Sequence, residues 1–452
     1  MWTLNQAIAK AGGRLQGQDT DFCAVGTDSR ADCSGQLFVA LRGERFDGHE
    51  YVATALAGGA AAAMVDHPLP LDLPQWVVDD TRLGLGRLAA AWRDRFPGRI
   101  AAVTGSNGKT TVKEMLAAIL ARAGRVRATQ GNLNNDIGMP LTLLRARDED
   151  YLVLEMGANH PGEIGYMTDL ARPDLAIVTN AGRAHLEGFG SVEGVARAKG
   201  EIARGLGPHG ILVVGGDSPY TPLWRDLAAG RTVWTFALDQ AADLQAGRDS
   251  VQVAWDADGF RTRFVARHQG REIPLELRLA GLHNVRNALA AAAAALALGL
   301  DARAIGEGLA SLPPVKGRLC PRDCGGIGVI DDTYNANPDS IAAAIEVLAG
   351  LQGRRWLVLG DLGELGEDAP RLHAEIGELA RRAGVDRLVT VGTLSANAAR
   401  TFGAGGQHFA DQAALLAALQ TELEPADRVL VKGSRAARME RVVEALCAEV
   451  GC

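Results

Sequence analysis

The sequence predicts an α/β protein of three domains, spanning residues 1–82, 83–312 and 313–452. Three observations carry this. At about 150 residues per domain, 452 residues make three units. Short apolar runs alternate with helical segments through the second and third stretches, the signature of parallel sheets with helices on both faces. Many of the 55 glycines stand just after such runs, where α/β folds build ligand loops. Hydrophobic residues make up 47% of the chain, enough for each unit to bury a core.

The first stretch holds β-like runs at Leu37–Leu41, Met64–Val65 and Trp76–Val78 among Ala-rich helical pieces, a small α/β unit. The second opens with an amphipathic helix, Leu83–Phe96, stopped by Pro97-Gly98. Strands follow at Ile100–Val103, Leu152–Glu155, Ala176–Thr179 and Ile211–Val214, alternating with helices. From Arg231 to Leu279 the pattern changes. Val251–Trp255 and Phe260–Val265 alternate in polarity, which predicts an antiparallel edge. The Ala-rich run Ala288–Leu298 predicts a buried helix, since eleven residues fall short of the roughly 20 that span a membrane. Leu312-Pro313-Pro314 reads as a linker. Beyond it, Val329–Asp331, Trp356–Gly360, Leu388–Val391 and Val429–Lys432 predict a second, Rossmann-like sheet.

Composition narrows the function classes. The net charge of −7 is spread without blocks, which argues against nucleic acid as the main partner. No heptad pattern supports an obligate assembly, so a monomer is expected. Met1–Gly13 lacks a basic start followed by an apolar run, so no signal peptide is expected, and the protein should work in the cytoplasm. Cys320 and Cys324 have no nearby histidines. They and the other four cysteines (Cys23, Cys33, Cys447 and Cys452) read as free, buried thiols rather than a zinc site.

The strongest chemical signal is Val103-Thr104-Gly105-Ser106-Asn107-Gly108-Lys109-Thr110-Thr111, between a strand and the helix Val112–Ala123. In a phosphate loop, glycines let backbone N–H groups converge on phosphate oxygens and the helix N-terminus adds positive potential. Lys109 reaches the β/γ-phosphates, and the hydroxyl of Thr110 or Thr111 ligates Mg²⁺. Val103 stands where the usual first glycine would be, so this is a shortened variant, TGxxGKTT. Glu155 ends the next strand, where the metal carboxylate of such a site sits. His185 lies past the following strand end and opens onto the same crevice, as metal ligand or as structural loop residue. Lys199, in Val195–Glu201, reads locally as a helix-surface lysine.

TGSNGKTTVKEM, EMGANHPGEI, NAGRAHLEGFGSVEGVARAKGEI, LHNVRNALAA, DDTYNANPDS, LGDLGELGE and VKGSRAARME run in order through the second and third stretches. Together they resemble the Mur ligase superfamily of ATP-dependent amide-bond formers. In the first stretch, Thr27-Asp28-Ser29-Arg30 and Phe46-Asp47-Gly48-His49 resemble that family's uridine-diphosphate-binding domain. The resemblance covers nearly the whole chain.

It implies ATP held by Gly105, Ser106, Asn107, Gly108, Lys109, Thr110 and Thr111. It implies Mg²⁺ on Thr110, Glu155 and His185, and a CO₂-derived carbamate on Lys199 that turns a cation into an anionic metal ligand. Asn284 and Asn287 match adenine-contacting asparagines, although N-capping also fits Asn284. Arg318 matches an arginine aimed at the phosphates and Asp332 a ribose contact. Tyr334 and Asn337 fall in the same cleft, with a turn role open for Asn337-Pro338. Thr27, Asp28, Ser29, Arg30 and Asp47 would hold substrate. Within the superfamily, YNANPDS and LGDLGELGE imply the activity that joins D-alanyl-D-alanine to UDP-N-acetylmuramoyl-tripeptide through an acyl phosphate.

The alternatives are weaker. A P-loop nucleotide switch would want an NKxD-type motif, which is absent. A small-molecule kinase would not need the third-domain loops. The ligase adding the third amino acid would carry a DNPR-type motif, also absent, and folylpolyglutamate synthase lacks the TDSR-type first domain.

Overall fold

A computed structural model describes residues 2–44, 46–183, 186–256 and 259–448. The predicted class holds: three successive α/β sheets, each built from its own stretch of chain.

The first sheet orders Arg14–Gln16, Gln75–Val77, Ala62–Val65, Gln36–Val39 and Ala24–Gly26, parallel except for the Arg14–Gln16 edge. The central sheet of ten strands runs Val126–Ala128, Tyr151–Glu155, Arg99–Thr104, Leu175–Val178, Ile211–Gly215, Thr232–Leu238 and Leu244–Ala246, all parallel. It ends in antiparallel strands Gly259–His268, Gln252–Asp256 and Arg271–Leu277. The antiparallel edge is therefore present, but it starts later than Arg231. Thr232–Leu238 and Leu244–Ala246 still pair parallel, and the short link between them carries no helix-length pattern from which a parallel crossover could be read.

Strand alternation sorts the central core. Ala102, Leu154 and Val178 face one layer, while Val103, Val153 and Ile177 face the other. On the second face, Val112, Met115, Leu116 and Ile119 of the helix Lys109–Leu120 meet the Ala-rich helix Leu282–Ala297. Ala288 to Ala295 is buried throughout, since small side chains let this helix lie close to its neighbours. The first layer runs without a break from Trp2 and Trp76 through Leu85 and Leu88 to Trp224, so the first sheet's unit shares core with the central one.

The third sheet orders Cys320–Cys324, Ile327–Asp332, Arg428–Lys432, Arg355–Gly360, Arg387–Val391 and Gly406–Phe409, parallel apart from the first strand.

The expectation of free thiols fails for one pair. Cys324 on the edge strand and Cys447 on the helix Glu440–Ala448 form a disulfide across 123 positions, a proximity that only the folded unit creates. Cys23, Cys33 and Cys320 are free, and Cys23 is exposed rather than buried. Cys452 lies outside the described residues. Among the described residues no helix is long and apolar enough to cross a membrane.

Candidate active site

The strand Arg99–Thr104 lies between Tyr151–Glu155 and Leu175–Val178, so three carboxyl ends open onto one crevice. The glycine loop leaves the first of these. Gly108 has φ 79° and passes so close to Asn287 that a Cβ would strike its amide, so this position demands glycine. The next strand's exit loop clamps the glycine loop. Asn107 N–H donates to Asn180 Oδ1 (3.0 Å), Thr179 Oγ1 donates to the Asn107 carbonyl (2.6 Å), and Ser106 N–H donates to the Asn180 carbonyl (3.1 Å). Lys109 Nζ donates to the carbonyls of Gly105 (2.8 Å) and Ser106 (3.3 Å), folded back on its own loop. Removal from water, with Arg318 nearby, lowers the Lys109 pKa against the opposing pull of Glu155.

Glu155 is 2% exposed and held by residues that sequence reasoning missed. Its backbone N–H donates to Thr129 Oγ1 (3.0 Å), and the buried Lys113 donates to the Thr129 carbonyl (2.7 Å). Asn134 Nδ2 donates to Glu155 Oε1 (2.8 Å). Oε2 is buried without a hydrogen-bond partner. An orphaned carboxylate oxygen beside a phosphate loop suits a cation, so the residues present fit Mg²⁺. The Asn-rich run Gln130-Gly131-Asn132-Leu133-Asn134-Asn135-Asp136 was the available signal for this loop.

The other wall comes from the third sheet. Arg318 donates to Thr110 Oγ1 (3.0 Å) and stacks over Tyr334, 4.5 Å from its centroid. Asp332 pairs with the buried Lys432 (2.6 Å) at adjacent strand ends. Beside them, desolvation and then the Lys432 charge push His283 down to about 4, against the pull of Asp332, so this ring is neutral at pH 7. Asn337 does more than turn the chain. It caps the helix Pro338–Ala349 reciprocally with Ser340 and donates to Asn107 Oδ1 (2.7 Å).

Asn284 is not an N-cap. Gly281 holds that position, and Asn284, one turn in, donates to the Ala280 carbonyl and accepts from Asn287 (3.1 Å). Both asparagines are buried, and Asn287 lies against Gly108 of the glycine loop. A cavity of about 710 Å³ gathers Ser106 to Thr111, Glu155, Asn284, Asn287, Arg318, Asp332, Tyr334 and Asn337, with Arg82 and Lys432 added.

Lys199 overturns its local reading. It is 1% exposed at the end of the helix Val192–Gly200, where Nζ donates to the Ala158 carbonyl (3.3 Å) and lies 5.0 Å over the Phe189 ring. Burial, then the Lys109 charge, lowers it to about 7. It sits behind the cavity lining that Ala158 supplies. His185 lies outside the described residues.

Thr27, Asp28, Ser29, Arg30 and Asp47 do not line this cavity. They belong to the first unit, where Arg30 grips Asp28 through Nε and Nη2 (2.8 Å each) and holds its carboxyl down at about 2. Asp47 caps the turn at His49 (2.9 Å) and pairs with Arg42 (3.1 Å). His49, Asp66 and His67 cluster tightly beside it. Both His49 nitrogens are already engaged, by Asp47 and by the Asp66 N–H, which fits a scaffold for the loop.

A phosphate loop facing an acidic strand end, with an arginine reaching in from the third unit, defines a nucleotide site built for phosphoryl transfer. The family models agree: Mur ligase family catalytic domain over residues 22–93, Mur ligase middle domain over 103–295 and the glutamate ligase domain of Mur ligases over 317–435. The chain belongs to the Mur ligase family. It is 46% identical over 448 residues to the Escherichia coli UDP-N-acetylmuramoyl-tripeptide–D-alanyl-D-alanine ligase, covering 98% of both chains. The crystal structure of MurF from Acinetobacter baumannii superimposes with a TM-score of 0.92 at 37% identity over 99% of each chain. The Thermotoga maritima MurF ligase in complex with ADP matches at 0.83 and 31% identity, over 94% of this chain and 97% of that one.

Proposed function

We propose that this chain joins D-alanyl-D-alanine to UDP-N-acetylmuramoyl-tripeptide at the expense of ATP, in peptidoglycan precursor synthesis. The observation that carries this is the cavity between the central and third sheets, in a chain that matches a ligase of that name from end to end.

A carboxylate is a poor acyl donor because its carbonyl is electron-rich and oxide leaves badly. Transfer of the ATP γ-phosphoryl group onto it gives an acyl phosphate. The dipeptide amine then attacks the acyl carbon, the C–O bond to phosphate breaks, and ADP and phosphate leave. Gly105 to Thr111 cradle the ATP phosphates, and Lys109 turns from its loop carbonyls to the β/γ-oxygens as charge develops there. Arg318 swings its guanidinium from Thr110 to the same phosphates. Asn284 and Asn287 contact adenine, and Asp332, held by Lys432, contacts ribose. Thr110, Glu155, His185 and a carbamate on Lys199 would hold Mg²⁺. When bound, the ion screens the repulsion between ATP and the substrate carboxylate.

A lysine near pH-neutral pKa supplies the free amine that reacts with CO₂, releasing a proton and leaving an anion. Residues 1–82, through Thr27 to Arg30 and Asp47, hold the UDP-sugar. Residues 83–312 bind ATP, and 313–452 close over it. Closure excludes water from the acyl phosphate. The reliance on ATP and a UDP-linked precursor supports a cytoplasmic setting. Phosphate release tests the reading: it should require ATP, UDP-tripeptide and D-alanyl-D-alanine together. Equal release without the tripeptide would overturn it.

A further inference from the structure

Arg183 and Asp339 join the two walls of the cleft beside the phosphate loop, 156 positions apart in the chain. Arg183 leaves the exit loop of the strand Leu175–Val178, and Asp339 is in the first turn of the helix Pro338–Ala349. Arg183 Nε donates to Asp339 Oδ1 (2.9 Å) and its backbone N–H donates to Oδ2 (2.7 Å). Its Nη1 reaches Glu375 on the helix Ala369–Arg382 (3.4 Å). The preceding Gly182 leaves room for this approach, since a Cβ there would stand 2.5 Å from Asp339 Oδ2 and push the carboxylate aside. Gly182 N–H in turn donates to Ser106 Oγ (2.9 Å), so the contact reaches the phosphate loop through one residue.

The pair is partly exposed, at 40% and 34% of the side chains, and a lone ion pair at that exposure contributes little. Two features raise its weight. The carboxylate takes two N–H groups from one residue, side chain and backbone, and charge-assisted bonds of this kind are the stronger ones. It also acts beside two further bridges between the same walls, Asn337 to Asn107 and Arg318 to Thr110. All three close together, so each forms at little further entropic cost once the others have formed.

We propose that Arg183 is a positioning residue for the ligation: through Asp339 it latches the third unit closed over the phosphate loop. This rests on the ligase reading above. Without the latch the open arrangement gains population. Arg318 and Asn337 then spend less time at the phosphates, and water reaches the acyl phosphate. Its attack regenerates the carboxylate and releases phosphate with no amide formed, so ATP use outruns ligation.

The test uses the full-length enzyme with Arg183→Ala, Asp339→Asn and the two combined, each checked for parental circular dichroism. Ligation kcat/KM and phosphate released per amide are measured, with the radius of gyration from small-angle scattering in ADP. Each single variant should lose about fivefold in kcat/KM, the scale of one charge-assisted bond at a partly wet site. The double variant should lose no more than either single. Phosphate per amide should rise above one and the radius should grow, while Arg183→Lys keeps part of the rate. Losses that multiply in the double variant, or parental values in both singles, would overturn the latch. If the parent itself fails to ligate, the functional reading falls, and the scattering comparison still decides whether the latch holds the units closed.

Discussion

Lys199 offers the sharpest perturbation. An ordinary lysine, with a pKa near 10.4, is neutral at pH 7 in only about 4 molecules in 10,000. Burial under Ala158 and Phe189, with Lys109 nearby, brings this one to about 7, so about half the molecules carry a free amine. That is a gain of about a thousandfold in the form that reacts with CO₂. The sign follows: carbamate formation should fall as pH drops below 7 and level off above it. Ligation in CO₂-depleted buffer should therefore be weak and recover on adding bicarbonate, more fully at pH 8 than at pH 6. Lys199→Ala should be nearly inactive, with partial recovery from short carboxylic acids that fill the missing group's place. Lys199→Arg should stay inactive, because guanidinium keeps its charge. Intact mass of the native enzyme should show one added CO₂ that Lys199→Arg lacks. Wild-type rates in Lys199→Arg, or indifference to CO₂ across that pH range, would refute the reasoning.

Other substitutions probe the remaining parts. Lys109→Ala should lower ligation kcat by about a hundredfold or more with an unchanged melting temperature, since the lysine acts on transition-state charge. Asn134→Ala frees Glu155 Oε1 and should weaken Mg²⁺ activation by about tenfold, read as the shift in the Mg²⁺ concentration for half-maximal rate. Asp47→Ala should raise KM for the UDP-tripeptide while leaving KM for ATP within about twofold, because Asp47 lies outside the ATP cavity. Trp224→Ala, removing a fully buried ring that donates to the Ala196 carbonyl, should cost about 3–5 kcal/mol in urea unfolding.

Much of this was legible in the chain. Apolar runs such as Ile100–Val103 and Leu152–Glu155 located strands to within a residue or two, because buried parallel strands need continuous apolar sequence. GKTT after such a strand announced the phosphate loop. Short edge strands, Val126–Ala128 and Gly406–Phe409, carried too little pattern to be seen. Local sequence alone places Lys199 on a helix surface, although the family resemblance gives it a metal-ligand role, because helix periodicity reports only the helix's own face. The Ala158 loop and Phe189 that bury it arrive from other segments. For the same reason the partners of Lys432, Asn134 and Arg183 could not be read locally: they lie 100, 21 and 156 positions away. Cys324 and Cys447 meet only once the third sheet and its last helix have packed.

Activation of the tripeptide's terminal carboxylate by ATP means that one carboxylate oxygen leaves with the phosphate. Oxygen tracing tests this directly. With both oxygens of that carboxylate labelled with ¹⁸O, ligation to D-alanyl-D-alanine should deliver one label to the released phosphate and leave the other in the new amide carbonyl. Phosphate free of label, beside a correctly ligated pentapeptide, would contradict the account.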